Sequence, residues 1–168
     1  CSISSSVDLD IFKLKEVAEH VTTGAPGGVF GGTGVNQINR EVWQSLKPEQ
    51  RKTLLHASAV LGAVISWDYQ VGASHELEVA GDSDIEVHAA SEDLRQATLK
   101  FIDQDIQTIA DNYAKRYGIK RADEMVKTFE ATLSKWVKLV ADVDNPEQLA
   151  ELYWRETYSK VDVNRYGL

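Results

Sequence analysis

Chemistry near neutral pH would fall first to the four histidines, His20, His56, His75 and His88, because an imidazole both titrates in that range and ligates metals. They lie in four different predicted elements. His75-Glu76-Leu77-Glu78 opens like a zinc-protease helix, but the second histidine four residues on is missing, and position 79 is Val79. The histidines are therefore read as facing solvent, with no metal centre and no cofactor. Cys1, the single cysteine, has no partnered base to activate its thiol. The serines at 2, 4, 5 and 6 show no G-x-S-x-G elbow. No catalytic constellation emerges, and the chain is read as a non-enzyme.

Glycine is densest from Gly28 to Asn36 (Gly-Val-Phe-Gly-Gly-Thr-Gly-Val-Asn). That density weakens a strand and marks a place where backbone or ligand approaches closely. Neither G-x-G-x-x-G nor G-x-x-x-x-G-K-[ST] is present, so a phosphate cradle is disfavoured against a central strand lying under helices or lining a cleft. Anion binding would call for a bidentate guanidinium. The seven arginines (at 40, 51, 95, 116, 121, 155 and 165) fall on helical or terminal stretches instead.

The element that must position all of this runs from Pro48 to about Gly81. Proline at the first helical position and Glu49 in the first turn suit a helix start. Leu54, Leu55, Val60, Leu61, Val64, Ile65 and Trp67 make its first part apolar nearly all round, which predicts burial on more than one side. As one helix it would be roughly 50 Å long, longer than a compact domain of this size is wide.

Before it, Ile11, Leu14, Val17, Ala18 and Val21 recur at helical spacing and predict an amphipathic helix over Asp10–Val21, with Asp8 or Asp10 as cap. Asn39 caps a short predicted helix whose Val42, Trp43 and Leu46 would pack on the start of the long one. After it, Asp82-Ser83-Asp84 reads as a turn and Ile85–His88 as a short strand with one buried face. Ser91 caps a long helix that Gly118 stops, with Leu94, Ala97, Phe101, Ile102, Ile106, Ile109 and Tyr113 as its stripe. Arg121 to about Asp142 repeats the pattern with Met125, Phe129, Leu133, Trp136 and Val140. Asn145-Pro146-Glu147-Gln148 starts a last helix that buries Leu149, Leu152 and Tyr153. The whole is α/β but mostly helical, with few strands. The strands near 28–36 and 85–88 lack partner strands in this sequence.

The chain has 168 residues, 43% of them hydrophobic, enough for one ordinary core. Its 26 acidic and 18 basic residues give a net charge of -8 with no basic run, which disfavours nucleic acid and anionic membrane surfaces as partners. No stretch approaches 18 uninterrupted apolar residues. The start, Cys1-Ser2-Ile3-Ser4-Ser5-Ser6, is read as that of a truncated or processed chain, with a lipoprotein tethered through Cys1 as the rival.

The motifs in order carry a resemblance. Val29 to Arg51 gives a glycine-rich strand, a short Asn-Arg-Glu-Val-Trp helix and Trp43-Gln-Ser-Leu46-Lys-Pro48-Glu49-Gln50-Arg51 leading into an alanine-rich long helix. Phe12 to Thr22 resembles the segment preceding that strand, and Glu151 to Asp162 with Arg165-Tyr166-Gly167-Leu168 resembles the family's end. Together they resemble the C-terminal half of the extracytoplasmic solute-binding proteins of tripartite ATP-independent periplasmic (TRAP) transporters, the DctP type, over nearly the whole chain.

The resemblance implies a two-domain periplasmic binding protein that closes on a small organic anion, with a long helix crossing both domains. It implies delivery of a carboxylate-type solute to the TRAP membrane permease subunits. Residues 1–168 would then contribute to both lobes and lack the N-terminal half of the same protein, without which the fragment is expected to self-associate and to bind organic acids weakly or not at all. The family's carboxylate-clamping arginine has no counterpart here. A ligand-touching asparagine aligns with Ser4, Ser5 and Ser6, and Phe30 and Gly31 would face the cleft. Two other classes stay open: a helical interaction protein, and an enzyme holding a nucleotide at the glycine-rich strand.

Overall fold

The computed structural model describes residues 3–27 and 36–168. The predicted glycine-rich strand, including Phe30 and Gly31, lies outside the described residues apart from Asn36. The described chain is mostly helical: α1 (Asp8–Ile11), α2 (Arg40–Ser45), α3 (Pro48–Glu78), α4 (Glu92–Tyr117), α5 (Ala122–Leu139) and α6 (Pro146–Glu156). Its strands, β1 (His20–Thr23) and β2 (Glu86–Ala89), pair in parallel with His20 opposite Glu86 and Thr22 opposite His88.

The chain folds as two units. One holds the described residues 3–27 with Ala73–Lys138; the other holds 36–72 with Leu139–Leu168. Helix α3 belongs to the second unit through Gly72 and to the first from Ala73 onward.

The helix boundaries follow local chemistry. Asn39 Oδ1 accepts from the amides of Glu41 (2.8 Å) and Val42 (3.2 Å), and Ser91 Oγ from that of Leu94 (3.2 Å). Asn145 Oδ1 accepts from Gln148 N (2.8 Å) while Gln148 Oε1 reaches back to Asp144 N (3.2 Å), so the side chains at the two ends of this first turn serve orphan donors reciprocally. Gly118 ends α4 at φ +67°, a conformation that costs glycine nothing.

The predicted helix over Asp10–Val21 does not form. Only α1 and a 3-10 turn at Leu14–Glu16 are helical, and Val21 lies in β1. Lys13 at φ +54° breaks the helical path, and neither Asp8 nor Asp10 caps α1; its N-cap is Val7, which makes no side-chain bond. Asp10 pairs instead with Lys15 at 2.6 Å, whose ammonium holds the carboxyl below its ordinary range. The second departure follows from the first. β2 has a partner, because the β-branched run Val21-Thr22-Thr23 pairs with it, and Glu86 N and Ala90 N close the ladder on Glu19 O and Thr23 O at 2.9 and 2.8 Å. All four residues of β2 are exposed, so the buried face expected of it is absent; Ile85, one residue before it, is buried.

In the first unit, Leu9, Ala80 and Ile85 form a small core, flanked by Leu14, Ala18 and Val21. Ser6 Oγ donates to Ala73 O (2.9 Å), fixing the approach to α1 against the end of α3. The stripes of α4 and α5 are largely open. Phe101, Met125, Phe129 and Leu133 are all more than half exposed.

Gly27 sits at φ +91° with Ile102 Cδ1 of α4 only 2.7 Å from where a Cβ would stand. Gly27→Ala is therefore expected to destabilise the first unit by about 1–3 kcal/mol through backbone strain alone, with the Ile102 terminus shifting aside. Thermal denaturation checks this, and Gly81→Ala, which meets nothing within 4 Å and has no positive φ, is the control.

In the second unit, α6 lies against α3. Leu149 and Leu152 are buried as the sequence predicts, and the α3 face they share is made of small residues: Ala59 and Ala63 are fully covered, and Gly62 meets the Tyr153 ring. Tyr153 Oη reaches Ser66 Oγ at 3.3 Å. Burial of α3 on more than one side is not seen among the described residues; Leu54, Leu61 and Val64 stay about 40–45% exposed.

The core of this unit is a polar knot. Arg51, only 6% exposed, donates from Nε to Trp43 O (3.0 Å), from Nη2 to Gln44 O (2.9 Å) and from Nη1 to Val163 O (2.9 Å). The first two carbonyls lie in the last turn of α2, where Trp43 O also takes the Leu46 amide (3.3 Å) and a cation opposes the helix dipole. Trp43, equally buried, donates from Nε1 to Tyr166 O (2.7 Å), and its ring meets Tyr166 edge-on. Val42, expected to pack beside Trp43, is instead half exposed.

Candidate functional site

Of the five residues predicted to touch a ligand, the structure describes Ser4, Ser5 and Ser6. They lead into α1, where Ser5 O and Ser6 O accept the amides of Asp8 (3.1 Å) and Leu9 (3.0 Å). Their hydroxyls are not equivalent. Ser4 Oγ donates to the Asp8 carboxylate and Ser6 Oγ to Ala73 O, so both are spent within the protein. Ser5 is half-buried, and its hydroxyl makes no hydrogen bond among the described residues. It alone of the three keeps a donor for a solute.

Arg51, the most buried guanidinium, commits each of its three nitrogens to a backbone carbonyl, so its orientation is set by the protein rather than by a ligand. The concave surfaces are modest. One of 320 Å³ lies between α3 and α6, lined by His56, Val60, Val64, Ala150 and Trp154 among others, with the His56 ring edge-on to Trp154 at 5.0 Å. Another, at Asn112–Tyr117, is bounded among the described residues by a single helical stretch. A solute there would keep most of its hydration.

The one cluster of metal-capable side chains among the described residues stands on the exposed face of the β1–β2 pair: His20, Glu86 and His88. Parallel pairing places His20 directly opposite Glu86, and the two-residue repeat of a strand brings His88 to the same face. His20 Nδ1 is 3.1 Å from His88 Nε2, and Glu86 Oε2 is 3.6 Å from both nitrogens. The imidazole planes are tilted 39° apart at a centroid separation of 5.2 Å.

His20 and His88, read from sequence as lone solvent-facing residues of separate elements, are thus exposed but not alone. The signal lay in the two four-residue runs His-Val-Thr-Thr and Glu-Val-His-Ala. Each alternates polar with β-branched or small residues and so presents its His and Glu side chains on one face once the runs pair. His56 and His75 stand outside the cluster.

No helix among the described residues is long and apolar enough to cross a membrane. Comparison of the chain with protein-family models, with curated proteins and with solved structures finds no match.

Proposed function

We propose that the chain is the C-terminal portion of a DctP-type solute-binding protein that captures a small organic anion in the periplasm and hands it to the membrane permease of a TRAP transporter. The observation that carries this is α3: one uninterrupted 31-residue helix whose residues are divided between two separately packed units, as the helix crossing both lobes of such a protein would be. The ordered motifs around it support the same reading, from the Asn39-capped helix through Pro48 to the segment 161–168 that returns to Trp43. Exposed apolar flanks on α3, α4 and α5 fit elements built to be covered by the remainder of the protein.

The solute carboxylate would draw its main affinity from an arginine outside residues 1–168, with Ser5 as a secondary donor and Phe30 and Gly31 at the cleft wall. Calorimetry and thermal shift on the complete gene product, against a panel of mono- and dicarboxylates, test this. One panel member at a hundredfold excess over its Kd is expected to stabilise the protein by about 2.7 kcal/mol. Ser5→Ala is expected to weaken that ligand about tenfold, the size of a hydrogen bond to a charged group, whereas Ser4→Ala leaves it unchanged. A complete protein indifferent to every carboxylate, yet stabilised by ATP or NAD, would overturn the proposal in favour of a nucleotide site.

A further inference from the structure

We propose that His20, Glu86 and His88 form a binding site for a divalent transition-metal ion of the zinc class, one that clips β1 to β2. The triangle of donor atoms carries the proposal. Ligands about 2.0–2.1 Å from a tetrahedral metal stand about 3.4 Å from one another. The three separations found, 3.1, 3.6 and 3.6 Å, bracket that edge, so one ion can reach all three atoms with the backbone left in place.

The donor set is selective. Two imidazoles and one carboxylate suit zinc, cobalt, nickel or copper and are poor for magnesium or calcium, which demand oxygen ligands in larger number. The ligands also start close to their bound arrangement. They sit on one face of paired strands whose register is fixed by ladder hydrogen bonds and by Val21 and Ile85 packing at the small core of that unit. Less ordering entropy is then lost when the ion arrives.

The histidines are 68 residues apart in sequence, so a shared ion closes a long loop and opposes the separation of two strands that are only four residues each. Side chains that are 46–69% exposed leave the fourth position of the metal to water. The open setting of these three side chains gives the site an ion to bind and no reaction.

Titration of the purified, metal-free chain with ZnCl2 by calorimetry, with Co2+ absorption as a second readout, tests this. Saturable one-to-one binding is expected, with visible Co2+ bands of low coordination number and a raised Tm in the presence of Zn2+. His20→Ala and His88→Ala should each lower affinity more than about tenfold, since even residues behind a first ligand shell cost that much. His56→Ala, His75→Ala and Cys1→Ser should bind like the parent. Each variant is checked for intact folding by circular dichroism against the parent without metal.

Absence of saturable binding would overturn the proposal and leave the two imidazoles as a hydrogen-bonded pair. Equal affinity in His20→Ala, or loss of binding in Cys1→Ser alone, would likewise overturn it by moving the metal elsewhere. None of these outcomes bears on carboxylate capture, which uses different residues.

Discussion

Arg51→Ala is expected to cost about 3–4 kcal/mol of unfolding free energy, the largest loss of any single charged residue in the chain. The guanidinium serves three backbone carbonyls at once, those of Trp43, Gln44 and Val163. Hydrogen bonds from a charged donor contribute about 1.5–3 kcal/mol each and do not add fully, because the three share one anchoring group. Truncation also takes the side-chain donor from Gln44 O and leaves Trp43 O with the Leu46 amide alone. Arg51→Lys should recover less than half of the loss, since an ammonium cannot spread three donors in a planar fork. Arg155→Ala is the control: its side chain is 65% exposed and pairs with its neighbour Glu156, so a change within about 0.5 kcal/mol is expected. Urea denaturation followed by circular dichroism measures all three. A cost below about 1 kcal/mol for Arg51→Ala would mean that solvent replaces the guanidinium.

Trp43→Ala should be comparably severe, at about 3–5 kcal/mol, the usual range for a large aromatic removed from a packed site. Trp43→Phe separates the two contributions. It keeps most of the ring but loses the bond from Nε1 to Tyr166 O, and about 1 kcal/mol is expected. Gly167 lies against the same indole, where an added Cβ would come within 2.9 Å of Nε1, so the fit on that side is close. The Arg51 guanidinium stands 5.8 Å from the ring centroid. Both side chains hold segment 161–168, and losing either releases it. The double variant Arg51→Ala, Trp43→Ala should therefore cost less than the two single losses together, by at least about 0.5 kcal/mol. Strict additivity would show that the two side chains hold that segment independently.

Local signals were readable in the sequence; pairings between distant segments were not. Asn39, Ser91 and Asn145 cap their helices through their own side chains, Pro146 and Gly118 mark an entry and an exit, and α3 ends within a few residues of its expected limit. Asp10–Val21 misled because Ile11, Leu14, Ala18 and Val21 satisfy helical spacing, and periodicity over so short a stretch does not weigh the β-branched Val21-Thr22-Thr23 run against it. What decides between helix and strand there is β2, more than 60 residues away, and its contribution is tertiary. The His20–Glu86–His88 cluster was hidden for the same reason. Arg51 was hidden for another: its burial depends on where residues 161–168 fold back, and nothing adjacent to it in sequence distinguishes it from a solvated arginine.

The return of Tyr166 to Trp43 also sets a clock for synthesis. The two are 123 residues apart, so at about 5–20 residues per second a ribosome needs roughly 6–25 s between them. Throughout that interval the indole lacks Tyr166 O and Arg51 lacks Val163 O, and the unit they anchor cannot close. Nascent chains halted anywhere short of Val163 would present this half-built pocket to chaperones and proteases, which makes the emergence of segment 161–168, rather than helix formation, the gate to a protected unit.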